Sequence, residues 1–586
     1  MPETAPHASN SAAARHSPRF RAGDITLLLG LCLALFFWGL GSVPLYNKGE
    51  PREGLVVWDI WNAGNWILPL RGGVDIPSKP PMFHWIAALA ALASGSLNEF
   101  TLRLPSALLG AAGVVLIYIT GAALWGRVAG LVSAIVLATS FEWWRAATTA
   151  RVDMTLTFFM LASFLCFYYL YRSRGGLLKS LLMAALLGLA TLAKGPVGAI
   201  LPCLAGLAFL ACKRDFAFLK KIHLPIAVPV GLAVAASWYV LALWQGGEKF
   251  FDRQIVHEIL MTPLGGAGHN QPFYYYVPKL LAGLAPWSLF LPSLAIFLYQ
   301  QRRRLDDEKL LYPLIWFAAV FIAASLSIGK RPVYILPLYP AAALMLGAWW
   351  QKLSEGSVSR TGVAKAAAGC AAAALLLLAA VFAAQLAGWN LLDLVGGRLD
   401  RRSRELLPLV AQILDTNRPA VAALAALSGI PALFALTALR RGAWRACFAA
   451  LATVMVAFYF LFQTTIHPAF AEKLAPKSYM LRAREKIGKS APLVIHRAGG
   501  FSAGLYRRLL FAAPELDAAA VKPPFFLLAR EAEWQRLREI PGVTLVEPGD
   551  PIVPEKLRLV LIAVGAGARV ELKDSQDEDF SSDSDE

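Results

Sequence analysis

Long apolar runs separated by short basic or polar breaks dominate the pattern of this sequence. Thirteen runs, some with help from flanking residues, are long enough to cross the ~30 Å hydrocarbon core of a bilayer. We interpret each as a helix, because only a helix satisfies its own backbone hydrogen bonds in lipid. The runs are Ile25–Gly41, Leu104–Leu124, Val128–Trp144, Met154–Tyr171, Leu177–Ala193, Val197–Cys212, Leu224–Trp244, Leu280–Tyr299, Leu310–Ile328, Val333–Trp350, Ala364–Leu386, Ala420–Leu439 and Ala446–Gln463. The pattern predicts an all-α polytopic membrane protein with about thirteen transmembrane helices.

The apolar run Phe83–Leu97 is short, and whether it crosses the membrane decides the side of every later loop. If it does not cross, the short basic loops all fall on one side, as the positive-inside rule requires. We therefore predict that it lies at the interface as an amphipathic helix. This topology places the charged segments around Gly41–Arg103, Arg145–Asp153, Gly246–Lys279 and Gly329–Arg331 together on the outer face.

The end of the chain has a different pattern from the rest. Short strand-like runs at Leu493–Ile495, Phe525–Leu528, Val543–Val546 and Leu557–Ile562 alternate with polar helical stretches such as Glu531–Glu539. We predict a membrane domain over 1–466, a small outer α/β domain over 467–573 and an acidic disordered tail over 574–586.

Composition and charge narrow the class of protein. The chain has 57% hydrophobic and 16% charged residues, whereas soluble domains have about 45–50% and about 25%. The net charge of +17 comes from clusters between apolar runs, so it indicates membrane-flanking residues and not a nucleic-acid surface. The six cysteines lie in or beside apolar runs without metal-ligand spacing, and they predict no disulfide framework.

Several ionisable side chains interrupt the apolar runs on the predicted outer face. Lone lysines at span ends usually extend to the interface, and an acid there can be a simple structural ion pair. Cations that converge on one face would instead form a phosphate pocket, because they offset a leaving group's developing charge. The acids Asp153 and Glu50 are our candidate catalytic residues. The candidate phosphate- or substrate-binding residues are Lys79, Arg52, Tyr46, Lys194, Lys330, Arg331, Tyr334 and Arg253.

His257 lies in the longest late outer loop, close to Arg253 and Glu258. A lone loop histidine is most often a surface residue. With Glu50 or Asp153 nearby it would also be able to bind a divalent ion such as zinc. Both interpretations stay open, and no cofactor is required by the pattern.

Six short motifs occur in order and carry a family resemblance. They are Gly49-Glu-Pro-Arg52, Asn65-Trp-Ile-Leu-Pro69, Lys79-Pro-Pro81 with Trp85, Arg103-Leu-Pro-Ser106, Ala150-Arg-Val-Asp153 and Ala193-Lys-Gly-Pro196. Together they resemble the bacterial branch of the protein mannosyltransferase superfamily, closest to the aminoarabinose transferases that modify lipid A. The resemblance implies a GT-C fold and covers roughly the first two-thirds of the chain.

The resemblance also implies a function. Such an inverting glycosyltransferase moves a sugar, here 4-amino-4-deoxy-L-arabinose, from undecaprenyl phosphate to a lipid A phosphate. It works on the periplasmic side of the bacterial inner membrane, and we expect a monomer without a nucleic-acid partner. The alternatives are transfer to a protein or another envelope glycan, and a lipid or solute transporter, which would show inverted repeats and polar groups in mid-span.

Two positions depart from the family's motif. The family usually has an Asp-Glu pair where this chain has Gly49 and Glu50, and a Tyr often follows the Arg where this chain has Glu53. The role of that Asp cannot be transferred. Glu50 or Asp153 would act as a base for a hydroxyl acceptor, whereas an acceptor phosphate is already anionic and needs no base. The sequence predicts that both acids lie at the rim of one cleft.

Overall fold

The protein is almost entirely helical up to its C-terminal region. The computed structural model describes residues 21–261, 271–302, 307–358, 360–389, 404–496, 498, 500–512, 521–551, 553–568, 570 and 572. The helices up to residue 300 are α1 Ala22–Cys32, α2 Gly49–Ala63, α3 Met82–Ser94, α4 Glu99–Trp125, α5 Arg127–Ala138, α6 Phe141–Ala147, α7 Val152–Arg172, α8 Leu177–Lys194, α9 Val197–Lys213, α10 Leu224–Phe250, α11 Tyr276–Gly283 and α12 Leu291–Gln300. They continue with α13 Glu308–Leu326, α14 Tyr339–Ser354, α15 Gly362–Leu386, α16 Leu407–Thr416, α17 Arg418–Arg440, α18 Trp444–Leu461, α19 His467–Leu474, α20 Pro476–Ile487, α21 Gly500–Leu510 and α22 Glu531–Leu537.

Helices occupy all of the predicted apolar runs, so the all-α membrane fold is confirmed. Within the described residues, nine helices are long and apolar enough to cross a membrane, and a pair bent by 110°, Phe273–Gly283 with Trp287–Gln300, makes a tenth. Shorter apolar helices at Ala22–Phe37, Arg127–Ala138 and Val197–Lys213 account for the remaining runs. The protein is therefore a multi-pass membrane protein.

Local signals explain where the helices of the first outer segment begin and end. The Asn98 side chain accepts from the Thr101 backbone N–H, and the Thr101 hydroxyl accepts from the Asn98 N–H, so a capping box begins α4. Gly64 and Gly95 end α2 and α3 with φ of 73° and 72°, a conformation that glycine adopts without steric cost. With 13 residues, α3 is ~20 Å long and shorter than the hydrocarbon core. Its placement along the surface stays a prediction.

The predicted α/β character of the C-terminal region is also confirmed. Four strands, β1 Leu493–Ile495, β2 Phe525–Arg530, β3 Val543–Glu547 and β4 Leu559–Val564, form one sheet in the order β1-β2-β4-β3. β1 pairs parallel with β2, and the other two pairs are antiparallel. The domain boundary predicted after 466 falls within the helical segment Trp444–Leu474 and stays a prediction. The acidic tail 574–586 lies outside the described residues.

The C-terminal region packs directly on the segment 41–103. The Tyr506 hydroxyl accepts from the Leu45 backbone N–H at 2.7 Å and donates to Glu99 at 2.9 Å. Lys477 forms an ion pair with the same Glu99 at 2.5 Å. Leu505 lies so close to Gly54 of α2 that a Cβ at Gly54 would be only 2.6 Å from its side chain. The C-terminal region thereby fixes α2, the helix that carries several candidate site residues.

Candidate active site

Two adjoining cavities, which share lining residues, lie where the ends of several helices meet. The smaller, which we call the polar chamber, has a volume of ≈ 50 Å³ and is lined by Arg52, Glu53, Ser78, Lys79, Arg151, Val152, Asp153, Lys194, His257, Glu258, Arg331, Val333 and Tyr334. The larger, the apolar groove, has a volume of ≈ 370 Å³. It shares seven of those residues and continues between the helices along Leu156, Met160, Val197, Ile200, Leu201, Ala323, Ala324 and Pro337.

Asp153 and Lys194 meet in the chamber because one lies at the beginning of its helix and the other at the end of the following helix. Asp153 lies in the first turn of α7, and Lys194 is the last residue of α8. A helix dipole favours an acid at the first position and a cation at the second. The two side chains form a buried salt bridge, and Arg151 approaches Asp153 at 3.4 Å. The Lys194 ammonium also lies 4.7 Å from the centre of the Tyr334 ring.

Lys79 enters the chamber from the loop that precedes α3. Its ammonium contacts the carboxylate of Glu258 at 2.6 Å. Glu258 also contacts Arg253 at 3.3 Å and lies 3.7 Å from His257. The Gln254 side chain donates to the Pro77 carbonyl, which joins this segment to the loop that carries Lys79. The predicted binding residue Arg253 thus reaches the chamber through Glu258.

Arg52 and Glu53 contribute the chamber's wall on the α2 side. Glu53 accepts from the Arg52 guanidinium at 3.0 and 3.3 Å, and its other oxygen lies 2.7 Å from Nε2 of His84. Burial alone would raise the pKa of the Glu53 carboxyl, but the charge of Arg52 and the hydrogen bond from His84 outweigh it. They hold that pKa well below its usual range, with a further contribution from Arg151.

The charges of the chamber do not cancel. Among the described residues that line it, five are lysine or arginine and three are carboxylates, an excess of two positive charges when His257 is not counted. Each carboxylate contacts at least one of these cations. An anion of charge −2 would therefore balance the site.

Glu50 does not share the cleft of Asp153, which corrects the sequence-based prediction. One Glu50 oxygen accepts from Arg103 at 2.7 Å and from the Ala150 backbone N–H at 2.9 Å. The other accepts from Arg103 at 2.9 Å and from Asn47 at 3.0 Å. Burial opposes ionisation, but the Arg103 charge and these hydrogen bonds lower the pKa of the Glu50 carboxyl. Glu50 therefore clamps α2 to α4 and to the segment before α7.

Tyr46 belongs with Glu50 and not with the polar chamber. Both line a separate cavity of ≈ 460 Å³, and the Tyr46 hydroxyl lies 3.2 Å from Nε2 of His467. Tyr46 therefore does not line the polar chamber, and its predicted role in binding substrate stays a prediction for this separate cavity. The Arg103 guanidinium, which also lines this separate cavity, makes four hydrogen bonds, two to Glu50 and one each to the carbonyls of Leu40 and Val43.

Lys330 is also placed differently from the prediction. Its ammonium donates to the backbone carbonyls of Gln271, at 3.0 Å, and Ser327. It joins two loops and does not line the polar chamber, whereas its neighbour Arg331 does. The spacing of lysines in the sequence does not distinguish a lysine that donates to backbone carbonyls from a lysine that binds phosphate.

The sequence pattern pairs His257 with Glu50 or Asp153 as candidate metal ligands, and only Asp153 shares a cavity with it. Glu50 lines a different cavity, while Asp153 and His257 both line the polar chamber. No group of three or more His, Cys, Asp or Glu side chains is placed to hold a metal ion in the part of the chain that the structure describes. A bound metal stays untested.

The structure thus brings together seven predicted residues: Arg52, Lys79, Asp153, Lys194, His257, Arg331 and Tyr334. Sequence reasoning missed Glu53, Arg151 and Glu258 as members of the same chamber. Arg151 and Glu53 stood inside motifs already singled out, and their charge in an otherwise apolar setting was the available signal. Glu258 gave no such signal, since charged loop residues are usually solvated.

An apolar groove that ends in a cationic chamber suits a lipid with an anionic headgroup, and comparisons with known proteins identify the chain as a membrane glycosyltransferase. The family model described as dolichyl-phosphate-mannose-protein mannosyltransferase matches residues 78–240. A protein from Pseudomonas savastanoi pv. phaseolicola named undecaprenyl phosphate-alpha-4-amino-4-deoxy-L-arabinose arabinosyl transferase is 30% identical over 343 residues, 58% of this chain and 63% of that relative. An uncharacterized protein from Aquifex aeolicus is 30% identical over 331 residues, 56% of this chain and 74% of its own length.

The fold is similar to that of ArnT from Cupriavidus metallidurans bound to undecaprenyl phosphate. The TM-score is 0.74 at 20% identity, over 94% of this chain and 99% of the other. The chain belongs to the membrane glycosyltransferase family that includes the arabinosyl transferases named above. The match spans roughly three-fifths of the length of the first curated relatives, 63%, 56% and 62%.

Proposed function

We propose that this protein transfers a sugar from a polyprenyl phosphate to an acceptor at the outer face of the membrane. The observation that carries the proposal is the continuity of the polar chamber with the apolar groove. A polyprenyl-phosphate donor has the matching shape, with an isoprenoid chain for the groove and a charged phosphate for the chamber. Lys79, Asp153, Lys194 and Tyr334 line both cavities and so mark the point where the two parts of such a lipid join.

The charge of the chamber supports the same assignment. When the sugar leaves, the polyprenyl phosphate becomes a monoester, which carries a charge of about −1.5 to −2 at neutral pH. The two uncompensated positive charges of the chamber match that product better than they match the donor, which has one negative charge fewer. Cations that are better balanced late in the reaction stabilise the transition state more than the ground state.

The proposed reaction forms one bond and breaks one. An acceptor oxygen attacks C1 of the sugar with inversion, the bond from C1 to the phosphate oxygen breaks, and its electron pair stays on the phosphate. Lys79, Lys194 and Arg52 would bind the leaving phosphate. Asp153 would hold Lys194 in place, and it would accept the proton if the acceptor were a hydroxyl. In this proposal these cations neutralise the leaving phosphate, the part that a metal ion would otherwise play.

The sugar and its carrier are inferred from the names of the relatives. From those names we infer 4-amino-4-deoxy-L-arabinose as the sugar and undecaprenyl phosphate as its carrier. A lipid A phosphate as the acceptor, on the periplasmic side of the inner membrane, is the proposal that follows from the sequence resemblance. Transfer to a protein or another envelope glycan is the alternative. It draws support from the mannosyltransferase model, whose match over 78–240 contains Lys79, Asp153 and Lys194.

Transport is a less suitable function for this site. A transporter places its polar groups near the middle of broken helices. Here Asp153 lies in the first turn of its helix and Lys194 at the last residue of its own. The site is therefore at the ends of the helices, where an enzyme meets a headgroup.

The test is mass spectrometry of lipid A from cells with and without the gene, combined with transfer by purified protein. We expect an added aminopentose on lipid A only in cells with the gene, and its transfer from undecaprenyl phosphate in vitro. Lys194→Ala should abolish both, whereas Lys352→Ala, an exposed lysine paired with Glu355 at 3.2 Å, should not. Unchanged lipid A with a modified protein or glycan would favour the alternative acceptor.

A further inference from the structure

Glu53 is a buried acid of the polar chamber to which neither the family's motif nor the proposed chemistry gives a role. It follows Glu50 by one helical turn of α2, yet the two acids line different cavities. Glu53 is 5% exposed. An acid buried beside five cations has a large electrostatic effect on them, because the local dielectric is low.

Both oxygens of Glu53 are occupied, so it is poorly suited to be a base. One oxygen accepts from Nε and Nη2 of Arg52 at 3.3 and 3.0 Å. Side chains at consecutive helix positions do not normally face each other. Arg52 must therefore fold back along the helix to make this contact. Because a guanidinium is planar and rigid, holding one edge of it sets the direction of the other.

The second oxygen of Glu53 connects α2 with α3. It lies 2.7 Å from Nε2 of His84, which is completely buried on α3. Since a carboxylate only accepts, Nε2 carries the proton of this bond. The Nδ1 atom of His84 has no hydrogen-bond partner among the described residues, so this contact with Glu53 is what orients the imidazole. The loop immediately before α3 carries Lys79.

We propose that Glu53 is a positioning residue that orients Arg52 toward the phosphate of the polyprenyl donor, while His84 holds the second oxygen of Glu53 in place. The inference rests on the proposed function of the chamber. It deepens that function by assigning Glu53, one of the chamber's three acids, to phosphate recognition.

The test measures the affinity of the purified full-length protein for undecaprenyl phosphate in detergent micelles, together with thermal unfolding. We expect Glu53→Gln and Arg52→Ala each to weaken binding by about tenfold or more. If Glu53 acts through Arg52, the double variant binds about as weakly as Arg52→Ala alone, because the two changes remove the same interaction. Losses that multiply would show that Glu53 does not act through Arg52 and would overturn the proposal.

Arg52→Lys provides a second measurement that does not alter the buried acid. Lysine keeps the charge but lacks the planar fork, so an orientation effect predicts binding close to that of Arg52→Ala. Binding by Arg52→Lys at the wild-type level would overturn the proposal even if Glu53→Gln failed to fold.

Asp24→Asn is the matched control, because it also removes a buried acid paired with an arginine, Arg127, at 2.6 Å outside the chamber. It should lower the unfolding temperature and leave the affinity unchanged. Wild-type protein that does not bind undecaprenyl phosphate would refute the proposed function itself. Wild-type binding with an unchanged Glu53→Gln affinity would refute only this inference.

Discussion

The substitution Glu50→Gln distinguishes a catalytic role of this acid from a structural role as the ion-pair partner of Arg103. Each Glu50 oxygen accepts two hydrogen bonds: one from Arg103 Nε and the Ala150 N–H, the other from Arg103 Nη2 and Asn47. A glutamine has the same shape, but its NH₂ group would face two donors in either orientation. The substitution also leaves Arg103, which is 3% exposed, without its counter-charge.

The expected cost is therefore in stability. Removing one partner of a buried ion pair typically costs about 3–5 kcal/mol, and here the donors that lose an acceptor add to the loss. Turnover by the folded protein should stay close to wild type, because Glu50 lines a different cavity from Asp153, Lys79 and Lys194.

The assay has two parts: thermal unfolding in detergent, and sugar transfer normalised to the folded fraction. We expect a markedly lower unfolding temperature with transfer per folded molecule within a few-fold of wild type. The reasoning is refuted if Glu50→Gln unfolds at the wild-type temperature but transfers sugar about 100-fold more slowly. That result would make Glu50 a catalytic residue despite its contacts.

Three further outcomes are expected. Because the pKa of Glu50 is lower in the folded state, its stabilisation is fully present above the unfolded pKa of about 4.3 and is lost as pH falls through the folded pKa. The difference in unfolding temperature between wild type and Glu50→Gln should therefore be constant from about pH 8 to pH 6 and shrink only in acid. A difference that shrinks between pH 8 and pH 6 would contradict the lowered pKa. Asp153→Asn removes the partner of Lys194 and Arg151, and steady-state kinetics should show a kcat lower by about 100-fold, whereas Asp24→Asn, far from the chamber, should keep its kcat. Tyr506→Phe removes the hydrogen bonds to Leu45 and Glu99 and should weaken the packing of the C-terminal region on the segment 41–103 by about 1–3 kcal/mol. Limited proteolysis should then cleave the C-terminal region faster, and an unchanged rate would show that the tyrosine hydroxyl is not needed for this packing.

The sequence by itself determined the membrane class and the order of the helices. Hydropathy is a local property, since a run such as Ala364–Leu386 must span or be buried whatever surrounds it. The C-terminal strands were predicted for the same reason, because a short apolar run between turn signals has few alternatives. The ordered motifs also located Lys79, Asp153 and Lys194, which the structure places in one chamber.

Only the tertiary structure decided which charged side chains form ion pairs with each other. Glu50 and Glu53 are three residues apart, yet one is clamped by Arg103 and the other by Arg52 and His84. Lys79 and Glu258 are 179 positions apart and make contact at 2.6 Å. Such pairs depend on how helices pack across the whole chain, and a buried charge takes whichever partner that packing supplies. A list of charged positions cannot contain this information, because the same residue type serves as a clamp, a cap or a phosphate ligand according to its neighbours.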